Sequence, residues 1–241
     1  MEEDPCFHVI ARPVRSCSLD EDGEGGEEGI GAACSCGFRH SIPEEIKADE
    51  RSLEKFLEIY PEAACTVRRP EESIQPYPDV QVIETRGKGR GLQAACAISK
   101  GTIVCEYLGE ILPMHEARKR QKRYDEMTPP LNYVYVLREI FIRGGREVAL
   151  RTTVDATIFG SVGRFVNHSC DPNMEAKPVR IDAALPRILF CASRDILAGE
   201  ELTISYGEDA HGGGSKCVCG AEACRGSLPR EESLYEEEEK R

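Results

Sequence analysis

The residues best suited to chemistry lie in one polar stretch at 164–173, which reads Arg-Phe-Val-Asn-His-Ser-Cys-Asp-Pro-Asn. It combines a guanidinium, an amide, an imidazole and a thiol, and its Asp-Pro-Asn end is typical of a turn. Asn and His side chains can hydrogen-bond a base edge or the amino-acid part of a ligand. Any one of these residues alone could belong to a solvated turn, but the whole string indicates a functional segment.

A second chemical feature is a late cysteine run, in which Cys217, Cys219 and Cys224 follow the pattern Cys-x-Cys-x4-Cys. The chain has twelve cysteines, and its acidic N-terminus lacks the apolar region of a secretory signal. Clustered cysteines without such a signal favour metal over disulfides, and zinc is the metal that this run indicates. Free surface thiols are the alternative. Cys96, Cys105 and Cys191 stand among apolar neighbours and are predicted to be buried.

Net charge limits the classes of partner. The 241-residue chain carries −12 at neutral pH, which disfavours nonspecific nucleic-acid binding and a DNA-binding zinc protein. It suits a cationic partner such as a Lys/Arg-rich peptide. No apolar run reaches the ~18–20 residues that span a bilayer, so no membrane partner is expected.

The elements that position these groups are mostly short strands between glycine turns. Alternating β-forming residues predict strands at 80–84, 103–107, 133–137, 188–192 and 202–205. Helical spacing predicts helices at 43–60 and 113–126. Many short strands with little helix favour a mainly β (α+β) fold of several small sheets.

The order of the motifs resembles the SET-domain protein lysine methyltransferases, histone-lysine group, over about residues 78–228. The matching blocks are Gly89-Arg90-Gly91, the Cys-Glu-Tyr-Leu-Gly-Glu of 105–110, Tyr133-Val134-Tyr135, the polar stretch, and the Glu-Glu-Leu-Thr-Ile-Ser-Tyr-Gly of 200–207. The resemblance implies a SET fold with a pseudoknot, S-adenosylmethionine as cofactor, and a zinc-binding post-SET segment.

The resemblance also assigns roles to individual residues. It makes Tyr206 the catalytic residue that orients the substrate amine, with Tyr107 and Tyr135 on the wall of the lysine channel. The implied cofactor-binding residues are Gly89, Arg90, Gly91, Tyr133, Arg164, Asn167 and His168. The implied zinc ligands are Cys170, Cys217, Cys219 and Cys224.

Several positions depart from the family pattern. Arg90 stands where an aromatic residue is common, so backbone contact with the cofactor carries over but ring stacking does not. Ser205 replaces the usual Asp. Ile204 replaces an aromatic residue that limits the number of methyl groups, which predicts methylation beyond the first step. The cysteines before residue 78 are too few for the complete cysteine-rich module that precedes SET in this group; they are Cys6, Cys17, Cys34, Cys36 and Cys65.

The expected domains are an N-terminal region with a reduced pre-SET-like segment (1–77), a SET catalytic domain (78–207), a post-SET zinc segment (208–228) and a charged tail (229–241), of which 231–241 are expected to fray. The expected activity is histone-lysine N-methylation in the nucleus, on chromosomes, with a histone tail and chromatin as partners. The alternatives are a noncatalytic SET scaffold that binds peptides, and a methyltransferase for a non-histone protein.

Overall fold

The computed structural model describes residues 77–143, 145–181, 184–207 and 215–235, together with the backbone of two short N-terminal strands. The helix predicted at 43–60 and the cysteines before residue 77 lie outside the described residues. Within the described part of the chain, no helix combines the length and apolar character needed to cross a membrane.

Strands dominate the described chain, as the sequence predicts. They are β1 (His8–Val9), β2 (Val14–Arg15), β3 (Val80–Thr85), β4 (Gly89–Ala94), β5 (Ile103–Glu106), β6 (Glu110–Leu112), β7 (Val134–Arg143), β8 (Arg146–Asp155), β9 (Phe159–Gly160), β10 (Asn167–His168), β11 (Met174–Val179), β12 (Arg187–Ala192) and β13 (Glu201–Ile204). One α-helix, α1 (Met114–Asp125), and two 3-10 helices, Val162–Phe165 and Glu232–Leu234, complete the described elements. The mainly β class and all five predicted strands are confirmed.

The strands form four small sheets, with the orders β1-β9, β10-β13-β4-β3, β11-β12-β5 and β2-β6-β8-β7. In the second sheet, β10 pairs in parallel with β13, so that Asn167 lies opposite Thr203 and His168 opposite Ile204. This pairing brings the polar stretch beside the strand that ends just before Tyr206. The threading implied by a pseudoknot stays a prediction.

The main core lies where strands of three sheets meet. Its buried side chains come from β4, β5, β7, β8, β11, β12 and β13, and include Leu92, Val104, Phe190 and Ile204. Cys105 and Cys191 are buried as predicted, whereas Cys96 is exposed, so the prediction for Cys96 is wrong. Its apolar sequence neighbours did not predict its position on the surface.

Helix α1 is held against β6 and β8 by buried charges. Nη1 of Arg120 lies 2.7 Å from Glu110 and 3.0 Å from Asp155. The hydroxyl of Tyr124 donates a hydrogen bond to the same Asp155 carboxylate across 2.8 Å. Asp155 is fully buried, and the burial of a carboxylate is costly unless it is paired and hydrogen-bonded in this way.

Residues 231–235 do not fray as the sequence predicts. Leu234 is buried in a cluster with residues of β6, β7 and α1, including Tyr124 and Val134. Nε of Arg118 donates a hydrogen bond to the carbonyl oxygen of Ser233 across 2.7 Å. The frayed-tail prediction is therefore wrong for these residues, because the one leucine within the charged run packs into a hydrophobic cluster.

Candidate active site and metal centre

His168 and Tyr206 lie next to each other at the end of the β10–β13 pair. The backbone N–H of Tyr206 donates a hydrogen bond to Nδ1 of His168 across 3.1 Å, and the two ring centroids are 5.4 Å apart. The backbone N–H of Ser169 donates to the carbonyl of Ile204 across 3.0 Å. Burial, together with the nearby cations Arg225 and Lys88, lowers the pKa of His168. A neutral imidazole can accept at Nδ1, which fits this geometry.

Asn167 connects the polar stretch to Gly89-Arg90-Gly91, which forms the start of strand β4. Its amide nitrogen donates to the carbonyl of Arg90 across 3.1 Å and to Oε1 of Glu201 across 3.0 Å. A Cβ at Gly91 would lie 2.5 Å from Cγ2 of Thr85 and 2.9 Å from Nδ2 of Asn167. Only glycine therefore fits at this close approach.

Two arginine–aromatic contacts line the same region. The guanidinium carbon of Arg164 lies 3.8 Å from the ring centroid of Tyr133, and that of Arg90 lies 4.8 Å from the ring centroid of Phe165. Both distances are within the range of cation–π attraction. Arg90, which departs from the family pattern, thus contacts an aromatic ring of the polar stretch.

Tyr107 and Tyr135 form an aromatic wall with Phe190. The ring centroids of Tyr107 and Tyr135 are 5.2 Å apart, and both rings lie about 6 Å from Phe190 (5.9 and 6.2 Å). The hydroxyl of Tyr107 donates to the carbonyl of Tyr133 across 2.7 Å, and that of Tyr206 donates to the carbonyl of Val166 across 2.8 Å.

The tyrosine hydroxyls at this site stay protonated at neutral pH. Burial raises the pKa of Tyr135 to about 12. Burial likewise raises the pKa of Tyr107 and of Tyr206, with a further contribution from neighbouring phenols. Desolvation disfavours the phenolate, so these side chains can give and accept hydrogen bonds but do not act as anionic bases.

Tyr206 stands between two cavities. The smaller, of about 320 Å³, is lined by residues 87–90, the ring of Tyr133, the polar stretch and residues 215–219. The larger is an open groove of about 900 Å³, lined by Tyr107, Tyr135, Ile204, part of α1 and residues 228–235. Tyr206 and Arg164 line both cavities. Of the predicted cofactor-binding residues, Gly91 is the only one that lines neither cavity.

Four cysteines meet beside the smaller cavity. The Sγ atoms of Cys170, Cys217, Cys219 and Cys224 all lie within 4.8 Å of one another, and those of Cys170 and Cys217 are 4.0 Å apart. Four thiolates at about 2.3 Å from zinc would be roughly 3.8 Å apart. The predicted set of four thiols is therefore brought together at a spacing that fits zinc.

The surroundings of the cluster suit thiolate ligands. The backbone N–H of Arg225 points at Sγ of Cys170 and that of Gly226 at Sγ of Cys224, both across 3.4 Å. Burial raises the pKa of Cys217, whereas at Cys219 hydrogen bonds from the backbone and from neighbouring thiols outweigh burial and lower the pKa. Donors of this kind stabilise metal-bound sulfur. The four cysteines would hold a structural zinc ion.

Sequence reasoning missed three residues that position the site. Asn173 accepts the backbone N–H of Thr203 across 2.9 Å and donates to the carbonyl of Glu201 across 2.9 Å. Glu201 also pairs with Lys88 at 2.5 Å. Arg225 donates to the carbonyl of Gly207 across 3.3 Å. Asn173 and Glu201 lie within the motifs given above, and Arg225 directly follows the late cysteine run. Their polarity was visible in the sequence, but their partners are distant along the chain.

Comparisons with known proteins agree on one family. A family model described as SET domain matches residues 89–207. The histone-lysine N-methyltransferase SETMAR of Rattus norvegicus is 40% identical over 170 residues, which cover 65% of this chain and 52% of that protein. SETMAR of Bos taurus is 34% identical over 228 residues, covering 84% of this chain and 72% of that protein. The probable histone-lysine N-methyltransferase set-23 of Caenorhabditis elegans is 34% identical over 211 residues, covering 82% of each.

Solved structures give the same result. The crystal structure of the methyltransferase domain of human SETMAR is similar with a TM-score of 0.56 and 33% identity, covering 67% of this chain and 61% of that chain. A crystal structure of Arabidopsis thaliana SUVH6 in complex with SAM is similar with a TM-score of 0.53 and 29% identity. The match covers 66% of this chain and 34% of that chain. The chain spans about half the length of the SETMAR proteins of rat and mouse.

Proposed function

The chain belongs to the SET-domain family, and on that premise we propose that it is a histone-lysine N-methyltransferase that uses S-adenosylmethionine. The observation that carries the proposal is the position of Tyr206, which lines both the small cavity and the open groove. A methyl donor in the first and a lysine in the second would meet at this phenol. Alignment of two bound reactants is a large source of rate enhancement.

The small cavity offers the groups that S-adenosylmethionine needs. Its wall combines Gly89, Arg90 and Tyr133 with the polar residues Asn167 and His168. Backbone groups, amides and imidazoles can bind the amino-acid part and the adenine edge. When bound, S-adenosylmethionine supplies an activated methyl group. The SAM-bound SUVH6 structure supports this choice.

The groove would deliver an uncharged amine. A free lysine has a pKa near 10.4, so deprotonation at pH 7 costs roughly 4 to 5 kcal/mol. Contact with the rings of Tyr107 and Tyr135 removes water from the amine, which lowers that pKa. The hydroxyl of Tyr206 donates to Val166, and its oxygen therefore keeps lone pairs that can accept a hydrogen bond from the amine.

We assign the cysteine cluster a structural role in the same site. Residues 215–219 line the small cavity, and Cys170 lies within the polar stretch. A zinc ion on Cys170, Cys217, Cys219 and Cys224 would tie the post-SET segment over the cofactor. Structural zinc can contribute on the order of 10 kcal/mol to the folding of small modules.

A histone tail in chromatin is the proposed substrate, and the nucleus and chromosomes are the proposed location. The relatives are named histone-lysine N-methyltransferases, and the net charge of −12 favours a basic peptide. We propose an N-terminal region at 1–77, a SET catalytic domain at 78–207 and a post-SET zinc segment at 208–228. Residues 229–235 join the groove wall instead of the tail.

The test is radiolabelled methyl transfer to core histones, with Tyr206→Phe beside the parent. We expect labelling by the parent and a loss of about 100-fold or more in the variant, since removal of one oriented polar group typically costs that much. Tyr77→Phe, an exposed tyrosine that lines neither cavity, is the matched control. Equal labelling by parent and Tyr206→Phe contradicts the catalytic assignment.

Calorimetry with S-adenosylmethionine separates the alternatives. A noncatalytic scaffold could bind peptide without cofactor, whereas a methyltransferase for a non-histone protein would bind cofactor but not label histones. Retention of Tyr206, Asn167, His168 and the four clustered thiols favours an enzyme.

A further inference from the structure

Two arginines face each other in the β7–β8 hairpin. The register pairs Arg138 directly with Arg151, so the side chains project from the same face of the sheet with Cβ atoms about 5 Å apart. Both are exposed. Like charges directly opposite each other destabilise a sheet, and within the described chain neither guanidinium forms an ion pair. Such a pair attracts an anion.

The pair lies on the wall of the open groove. Both arginines line it, together with Tyr135 and Tyr206. Arg138 is three residues from Tyr135 along β7, a distance of roughly 10 Å at the usual rise per residue. The groove therefore runs from the aromatic wall to the two guanidinium groups.

Strand geometry fixes which part of a bound peptide would reach the pair. In the described chain β7 is the edge strand of its sheet, so its free backbone groups can pair with an extended peptide. If the target lysine points toward Tyr135, a residue three positions away points to the opposite face, since side chains alternate. That face carries Arg138.

We propose that Arg138 and Arg151 form an anion subsite of the substrate groove. It would hold a carboxylate or phosphoryl group of the peptide about three residues from the methylated lysine. Guanidinium groups bind both anions through two parallel hydrogen bonds. The peptide's identity as a methylation substrate rests on the proposed function.

Two acidic side chains elsewhere on the groove wall accept hydrogen bonds from their neighbours. Oδ1 of Asp125 accepts a hydrogen bond from Gln121 across 2.8 Å, and Glu231 accepts from the hydroxyl of Ser233 across 2.5 Å. Glu231 lines the same groove as Tyr135. The groove thus carries the carboxylates of Asp125, Glu231 and Glu232, and the guanidinium groups of Arg164 and Arg230 in addition to the pair at the hairpin. A substrate with one acidic residue about three positions from the lysine would match the hairpin pair.

The experiment is fluorescence anisotropy with labelled lysine peptides, in which glutamate replaces glutamine at each position within four residues of the lysine. We expect glutamate at one position, about three residues away, to tighten binding about five- to tenfold. Phosphoserine at that position distinguishes a phosphoryl from a carboxylate preference. The gain should vanish in the double variant Arg138→Gln/Arg151→Gln.

Arg146→Gln is the matched control. Arg146 is an exposed arginine of the same hairpin and does not line the groove, so the gain should persist. The melting temperature of the double variant should equal or exceed that of the parent, because a repulsion is removed. A scan without any favoured position, or a gain that survives in the double variant, overturns the subsite.

Measurements of peptide binding and of methyl transfer distinguish a failure of the proposed function from a failure of the anion subsite. If peptides bind with the arginine-dependent preference but no protein is methylated, the proposed function fails and the subsite stands. If histones are methylated and KM is insensitive to the acidic residue, the proposed function stands and the subsite fails.

Discussion

His168 connects Tyr206 to the cysteine cluster through its two ring nitrogens. Nδ1 accepts the backbone N–H of Tyr206 across 3.1 Å, and Nε2 lies 3.3 Å from Sγ of Cys170. One imidazole thus contacts both the segment that carries the proposed catalytic phenol and a proposed zinc ligand. The orientation of Tyr206 should therefore depend on the integrity of the cluster.

Loss of one clustered thiol should remove a metal ion and weaken cofactor binding. We expect Cys224→Ser to bind one zinc fewer per chain than the parent, by elemental analysis. Its affinity for S-adenosylmethionine should fall about tenfold or more, because residues 215–219 line the small cavity that we propose for the cofactor. Cys96→Ser, at an exposed cysteine outside the cluster, is the control. Unchanged zinc content in Cys224→Ser would show that the cluster holds no metal.

The residue at position 204 should set the number of methyl groups added. Ile204 is buried and lines the groove, and it leaves more room for a methylated amine than an aromatic ring would. Mass spectrometry of product peptides should show di- or trimethyl lysine with the parent and mainly monomethyl lysine with Ile204→Phe. Ile204→Leu, which preserves volume, should behave as the parent. A parent that stops at monomethyl lysine contradicts the prediction.

Removal of the Arg120 guanidinium should destabilise the fold strongly. Arg120→Leu leaves the carboxylates of Glu110 and Asp155 buried close to each other without their cation. Breaking a buried ion network in this way costs about 3–5 kcal/mol, measurable as a lower urea midpoint. Arg123→Leu, at an exposed position of the same helix, should change stability by less than about 0.5 kcal/mol. Equal midpoints for both variants would be evidence against the network.

Stability should fall at alkaline pH because of the buried phenols. The pKa of Tyr135 is raised to about 12, against about 10 in the unfolded chain. Between these values the folded state keeps a proton that the unfolded state loses, so the free energy of unfolding decreases as pH rises above about 10. Tyr107 and Tyr206 act in the same direction.

Thermal unfolding at a series of pH values checks this expectation. The melting temperature should decline above pH 10 in the parent, and less steeply in Tyr135→Phe, which has no proton to lose at that position. Parallel declines would mean that Tyr135 does not contribute.

Several failures of sequence reasoning have one cause. Leu234 stands in a charged run, and its burial depends on a site formed by β6, β7 and α1. Strand β7 extends to Arg143 and pairs with β8, although charged residues obscure the apolar alternation there. In each case the deciding partner is distant along the chain, and local pattern carries no information about it.

The sequence by itself determined the family of this protein. The residue types and order of the polar stretch, the late cysteines and the tyrosines specify it, because they stand in short, local motifs. Tertiary structure alone decided that Tyr206 lines two cavities, that Arg138 lies opposite Arg151, and that residues 229–235 wall the groove. Strand register and long-range burial set those relationships, and both arise only when distant segments pack together.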